Sequence, residues 1–278
     1  MVIDFHTHIF PPRIKQDRAI YLSDPLFKQL YTSAKAKLAT VDDLIESMDK
    51  TGIDRSAALN ISWRSNERCR ETNNYIMEAA ARYPERIIGF GTVDPSEPEE
   101  AAGEIERCAK SGLKGIGEMR LERSLFSPEN RSILDRFVQT LTDNRMILLI
   151  HCSEPVGHQY QGKGDTTPEL IYRLISDYPE LSLVCAHWGG GLPFYALMPE
   201  VKNSLTKVVF DTAASPFLYT PDIYGRVADF IGKEKIVFGT DYPLVEQSRG
   251  LKEVRAQCLP TDQEECLLFR NAQHLLER

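Results

Sequence analysis

The sequence predicts an α/β fold of the (β/α)8 barrel type, closed as one domain over residues 1–278, and three observations carry that reading. Short β-rich runs alternate with longer amphipathic stretches eight times along the chain. Such alternation builds either a closed barrel or a large open parallel sheet. The first run is followed by HTHIFPP, not by the Gly-rich phosphate fingerprint of a dinucleotide-binding open sheet. Metal-competent side chains recur at the C-terminal ends of runs one, five, six and eight. Only closure sets a first and an eighth strand side by side.

Taken in order, the expected strands are Val2–His6, Ser56–Ser62, Ile87–Asp94, Gly115–Met119, Met146–Cys152, Leu181–His187, Lys207–Ala213 and Ile236–Tyr242. Several are almost wholly apolar, as strands covered on both faces are. Helix starts are readable between them. Thr40 precedes Val41 and Asp42, while Ser96 with Glu99 and Thr261 with Glu264 read as capping boxes. Thr167–Pro168 and Thr220–Pro221 each place a cap residue before a first-turn proline. Ile9–Thr40 separates the first strand from its helix, where a βα loop ordinarily has about two to six residues. This insertion is expected to form a lid or substrate wall with a short helix around Pro25–Lys37. Pro11, Pro12 and Pro25 stiffen its path, and Tyr21, Phe27, Tyr31, Lys35 and Lys37 are its candidates for contact with an anionic ring.

Composition bounds the function. Apolar residues make up 42% and charged residues 26%, close to the globular average, which excludes a fibrous or disordered chain. A formal charge of −7 argues against a nucleic-acid binder that works by neutralising phosphates. The longest aliphatic run, Met146–Ile150, falls far short of the roughly 20 residues of a membrane span. MVIDFHTHIF has none of the features of a secretory signal. The six cysteines form no CxxC pair and read as reduced thiols. The expectation is a cytoplasmic protein acting on a small molecule, with no nucleic-acid or membrane partner.

Four of the six histidines sit at strand ends. His6 and His8 are two residues apart, so both rings can share one strand face and reach one ion. His151 ends run five in LLIHCSEP, His187 ends run six in SLVCAHWGGG, Asp241 ends run eight in IVFGTDYP, and Glu118 lies near the end of run four in KGIGEMRL. Imidazoles with a carboxylate suit zinc, and also manganese, iron or cobalt. Singly these residues are weak signals; together they fall on the face where barrel active sites lie. His158, in a Gly-rich loop, and His274, on the last helix, read as non-ligands, with His158 close enough to the fifth strand to meet a substrate.

The series VIDFHTHIFPP, LLIHCSEP, VCAHWGGGLP, VFGTDYP and RNAQHLL resembles the amidohydrolase superfamily, in its family 2 branch, over about residues 2 to 276. That branch includes aminocarboxymuconate-semialdehyde decarboxylase, aromatic-acid decarboxylases and lactone hydrolases. The resemblance implies a metal-dependent, distorted TIM barrel, often dimeric. It makes His6, His8, His151 and Asp241 metal ligands, His187 the residue beside the metal that polarises substrate or moves a proton, and Asn271 a structural tie for the last helix.

Glu118 departs from the pattern, since many family 2 members carry no acid there. TatD-type hydrolases do, and in them it bridges two ions. Lys114 precedes the strand, which disfavours a carboxylated-lysine bridge. Glu118 is therefore either a metal ligand or bridge, with His151 and His187 on a second ion, or a group that supports a ligand without touching the metal, or an interior acid held by Arg120 or Arg123. Trp63, Arg64, Arg120 and Trp188 are the candidate substrate-binding residues, with Tyr160, Lys163, Phe194 and Tyr195 nearby. Gly189–Gly191 reads as a close backbone approach to the site.

A divalent ion lowers the pKa of bound water to about 7. Asp241 could take that proton and His187 could stabilise an oxyanion or protonate a leaving group. The leading expectation is hydrolysis of an amide or lactone of a small carboxylated substrate by a zinc enzyme. The alternatives are decarboxylation of an aromatic or unsaturated acid, a TatD-like nuclease, and a non-catalytic metal-binding barrel.

Overall fold

The structure, a computed structural model, describes residues 1–277. Eight parallel strands follow one another in chain order: β1 (Ile3–His8), β2 (Arg55–Leu59), β3 (Ile87–Gly91), β4 (Gly115–Met119), β5 (Ile147–Ile150), β6 (Leu183–Cys185), β7 (Val208–Asp211) and β8 (Ile236–Val237). The ends of the series meet. Phe5 donates its amide to Phe238, Asp241 to the His6 carbonyl and His8 to Tyr242, at 2.7 to 2.9 Å. The architecture is thus the (β/α)8 barrel that the alternation predicts.

Two apolar layers hold it. Ile3, Phe5, Leu59, Phe90, Leu149, Val184 and Val237 fill the interior, closed from below by Leu275 of the last helix. A larger shell, including Leu44, Met48, Ile105, Leu141, Leu174 and Val254, packs the surrounding helices on the strands. Asn271 donates to the carbonyls of Lys233 and Ile236, at 2.7 Å each, and so ties that last helix to the barrel.

Several boundaries differ from the sequence reading. Thr40 does form a reciprocal cap with Asp43. Ser96 does not: its helix starts at Pro98, and its hydroxyl donates to Asp94 at 2.8 Å. Thr261 lies inside its helix, which Pro260 precedes, and the helix after Thr220–Pro221 starts only at Ile223. Thr167 does stand at the N-cap before Pro168, without a side-chain bond, and Pro98 opens its helix after Glu97, since proline lacks the N–H that only the first turn can spare.

The strands also end earlier than the apolar runs do. β6 stops at Cys185 and the β8 ladder at Val237. Beyond them His187 (φ 55°) and Asp241 (φ 69°) occupy the left-handed region. Such backbone costs of order 1–3 kcal/mol and persists where the surroundings over-determine it.

Two β-bulges aim side chains at the mouth. In β1 the register passes from Asp4↔Ser56 to Thr7↔Ala58, and in β4 from Ile116↔Leu148 to Met119↔Ile150. Each inserts one residue and shifts the alternation of faces. Phe5 can therefore fill the interior while His6 and His8 also turn inward. Glu118 gains its inward direction in the same way.

The insertion Ile9–Thr40 carries three short helices, Pro12–Gln16, Arg18–Tyr21 and Pro25–Tyr31. It has its own apolar cluster of Phe10, Ile14, Tyr21, Phe27 and Leu38, packed on Ile61 and Trp63. Arg18 pins its end by donating to the carbonyls of Ser33 and Ala36 at 2.9 and 2.8 Å.

Candidate metal centre at the barrel mouth

Barrel order sorts the six candidate side chains into two groups. β8 and β1 are neighbours and bring Asp241 to His6 and His8. β4, β5 and β6 are neighbours and bring Glu118 to His151 and His187.

In the first group His6 Nε2 and His8 Nε2 lie 3.1 Å apart. Asp241 Oδ1 is 3.2 Å from His8 Nε2 and 3.8 Å from His6 Nε2. Glu118 Oε2 is 3.5 Å and 3.8 Å from the same two nitrogens. Donors about 2.1 Å from a four-coordinate cation are separated by about 3.4 Å. The donor set fits a transition-metal ion in both chemistry and spacing.

In the second group Glu118 Oε1 lies 2.9 Å from His151 Nδ1 and 3.1 Å from His187 Nε2, and those nitrogens are 3.2 Å apart. The resemblance put His151 on one ion with His6, His8 and Asp241, and the bridging reading of Glu118 put it with His187 on a second. The structure sets its Nδ1 against the other oxygen of the glutamate, because β5 adjoins β4 and not β1. Glu118 thus stands between the groups, with one oxygen toward each. The alternative of an acid held by Arg123 is not what is seen, since Arg123 reaches outward to Glu169 at 3.2 Å.

Burial and neighbouring charges compete at each ionisable group of the cluster. Burial pushes His6 down, but the charges of Asp211 and Glu118 outweigh it and hold the ring well above the ordinary histidine value. Burial also opposes the charged form of His187, yet the Glu118 hydrogen bond and charge raise it to about 9. Burial dominates at His151 and lowers it. Burial would raise Glu118, but His151 and His6 hold it well below the usual carboxylate range. Asp241 is likewise lowered, against burial, by His8 and His6.

Above the cluster opens a cavity of about 550 Å³, within the usual range for small-molecule sites. His8, Glu118, His151, His187 and Asp241 line its floor, and Leu26, Leu30, Ile61, Phe217, Leu218 and Leu244 give it apolar walls. Of the insertion's candidates, Tyr31, Lys35 and Lys37 line the cavity, while Tyr21 and Phe27 face the insertion's own core. His158 and Tyr160 also line it. Lys163 instead donates to the carbonyls of Val156 and His158, Phe194 and Tyr195 stand partly exposed, and His274 lies on the last helix, Asn271–Leu276.

Among the four substrate-binding candidates, only Arg120 lines this cavity. Its guanidinium donates to Gln29 Oε1 at 3.1 Å and to the Lys163 carbonyl at 2.7 Å, both neutral partners. Burial lowers its pKa. Gly164 leaves it room, since a Cβ there would lie 2.7 Å from Arg120 Nε. Arg64 pairs with Glu122 at 2.7 Å in an adjoining groove.

Trp63 and Trp188 are corrections: both are fully buried packing residues. Trp63 stacks on Phe27 at 5.1 Å and donates to Asn60 at 2.7 Å, and Trp188 donates to Ser215 at 2.7 Å. Position near a strand end does not reveal that a ring turns into the protein. Trp63→Ala is expected to lower unfolding free energy by about 3–5 kcal/mol. A chemical-denaturation midpoint equal to that of the unaltered chain would refute this role.

Sequence reasoning missed Asp211. It ends β7 fully buried, with Oδ2 2.8 Å from His6 Nδ1 and Oδ1 accepting from the amides of His187 and Ala213 at 2.9 Å each. The signal was present in VVFD, an acid closing an apolar run, as it is in Asp241's strand.

A family model described as amidohydrolase, of the family 2 branch, matches residues 3–278. A gamma-resorcylate decarboxylase from Polaromonas sp. is 24% identical over 294 residues, covering 87% of each chain. Among solved structures, the fold resembles a 5-carboxyvanillate decarboxylase from Novosphingobium aromaticivorans, complexed with manganese and 4-hydroxy-3-methoxy-5-nitrobenzoic acid. The TM-score is 0.79 at 17% identity, over 100% of this chain and 96% of that one. It also resembles a dihydroxybenzoic acid decarboxylase from Polaromonas sp. JS666 with manganese and 2-nitroresorcinol, at TM-score 0.73, 18% identity, and 99% and 96% coverage. With the family pattern matched from β1 to the last helix, this chain belongs to the amidohydrolase family.

Proposed function

We propose that the protein is a divalent-metal-dependent decarboxylase of a hydroxylated aromatic acid. The observation that carries this reading is a floor of histidine and carboxylate donors beneath apolar walls, in a cavity large enough to take an aromatic acid. The relatives named above support decarboxylation over the hydrolysis that the sequence reading favoured. Their manganese likewise makes manganese, not zinc, the first cation to test.

His6, His8 and Asp241 hold the cation, with Glu118 Oε2 as the further donor. When bound, the cation supplies positive charge for the substrate's carboxylate and neighbouring oxygen. His187, whose Nε2 lies 3.1 Å from Glu118 Oε1 on the cavity floor, gives its proton to the ring carbon that carries the carboxylate. The C–C bond then breaks, its electron pair returns to the ring, and CO2 leaves. The apolar walls keep water from the ring during that transfer.

The test is to load the protein with Mn(II) and offer 2,6-dihydroxybenzoate and 5-carboxyvanillate beside a panel of lactones, amides and single-stranded DNA. CO2 release that stops on chelation is expected. Turnover of lactones or amides with no CO2 would return the protein to hydrolysis, and cleavage of DNA would favour a nuclease.

Arg120 binds the substrate's anionic edge, as a half-buried guanidinium whose hydrogen bonds go to neutral acceptors is suited to do. Arg120→Ala should raise KM about 10- to 100-fold, the loss of a charged hydrogen bond worth roughly 1.5–3 kcal/mol. An unchanged KM with a lowered kcat would remove this role.

The insertion sets substrate size from above. Leu30→Trp should shift preference toward smaller rings while metal content stays constant. An unchanged preference series would make the insertion a flank that packs and does not select. Shortening the segment is the poorer test, because its core also buries Trp63.

A further inference from the structure

Asp211 contacts both halves of the centre and belongs to neither donor set. It is fully buried at the end of β7. Oδ2 accepts from His6 Nδ1 at 2.8 Å, and Oδ1 accepts from the backbone amides of His187 and Ala213 at 2.9 Å each. The packing makes room for this pair. A Cβ on Gly239 would lie 2.9 Å from His6 Cβ and 3.4 Å from Asp211 Cβ.

We propose that Asp211 is a positioning residue that fixes His6 in the Nδ1–H tautomer and holds the His187 turn in place. The inference rests on the reading of His6 as a metal ligand. A carboxylate only accepts, so a proton must sit on Nδ1 of His6. The lone pair of the neutral ring is then left on Nε2, the atom that faces His8, Glu118 and Asp241. A carboxylate behind a ligating histidine sets the ring's orientation and raises its basicity. The other oxygen holds the amide of His187, whose φ of 55° needs such support. One side chain thereby couples the ring of a proposed ligand to the backbone of the proposed proton donor.

Asp211→Asn separates this role from packing, because it keeps the shape and changes one acceptor into a donor. If the amide oxygen stays on the two backbone amides, the NH2 group donates to His6 Nδ1. The His6 proton must then move to Nε2 and close the lone pair. If the amide turns over, its NH2 group faces two backbone donors and the His187 turn is released. The first arrangement is the one expected, because it keeps both backbone amides satisfied, and Mn(II) affinity, measured by electron paramagnetic resonance of the free ion, should then fall about 10- to 100-fold. In zinc-loaded, 15N-histidine-labelled protein, the downfield hydrogen-bonded Nδ1 proton of His6 should be present in the unaltered chain and lost in the variant. A merely structural residue would change the unfolding midpoint and leave that signal in place.

Unchanged Mn(II) affinity in folded Asp211→Asn overturns the proposal. If that variant does not fold, Asp211→Ser decides, since serine is too short to span from the His187 amide to His6; wild-type affinity there overturns the proposal equally. His6→Ala measured in parallel separates the two levels. If His6→Ala retains Mn(II), the ligand reading has failed. If it loses Mn(II) while Asp211→Asn does not, only the present inference has failed.

Discussion

The double variant His6→Ala/His8→Ala is expected to remain folded and to bind almost no divalent metal. His6 and His8 contribute Nε2 atoms 3.1 Å apart to the same donor set, which also holds Asp241 Oδ1. Removing both leaves only carboxylates, and these lose the imidazole partners whose charges lower Asp241. The apolar barrel layers contain neither histidine, so circular dichroism should stay that of a barrel. Turnover should fall by roughly a thousandfold or more, because a bound ion's charge stabilisation is worth several kcal/mol. The check is metal content by plasma mass spectrometry after dialysis against Mn(II). Full occupancy in the double variant would sink the ligand assignment.

His187→Ala should behave differently: it should keep its metal and lose turnover by about 10²- to 10⁴-fold, the range for a general acid. The motive is its position. His187 touches Glu118 Oε1 and lines the cavity floor; the His6, His8 and Asp241 atoms form one metal-capable group without it, although His187 also groups with His6 and Glu118. The rival outcome is specific. Glu118 offers one oxygen to each histidine pair, so His151, His187 and Oε1 could hold a second cation. A fall from two ions per chain to one in His187→Ala would establish a two-metal site. His187 would then be a ligand and the proton would have to come from elsewhere.

Much of the fold could be read from residue order. Eight apolar runs became eight strands in the same order, because burial on both faces demands continuous apolar stretches whatever the loops do. Boundaries were read less well, because side chains that turn into the mouth lie beyond the ladder on left-handed backbone, as His187 and Asp241 do. Hydroxyl caps were over-read at Ser96 and Thr261, where proline sets the helix start.

The chemistry of the site lay in the sequence by itself: histidines and acids closing apolar strands are an unusual use of costly polar groups in a core, and they name a cation site. Grouping was a tertiary matter. Closure makes β1 the neighbour of β8 and leaves β5 beside β4, so His151 meets Glu118 and not His6. Direction was tertiary as well. One inserted residue in β1 and one in β4 turn His6, His8 and Glu118 toward a common centre, and packing turns Trp63 and Trp188 away from it. Linear order specifies which groups a chain owns and where each strand ends. Which of them face one another depends on register, bulges and barrel closure, and these are set by contacts between residues far apart in the chain.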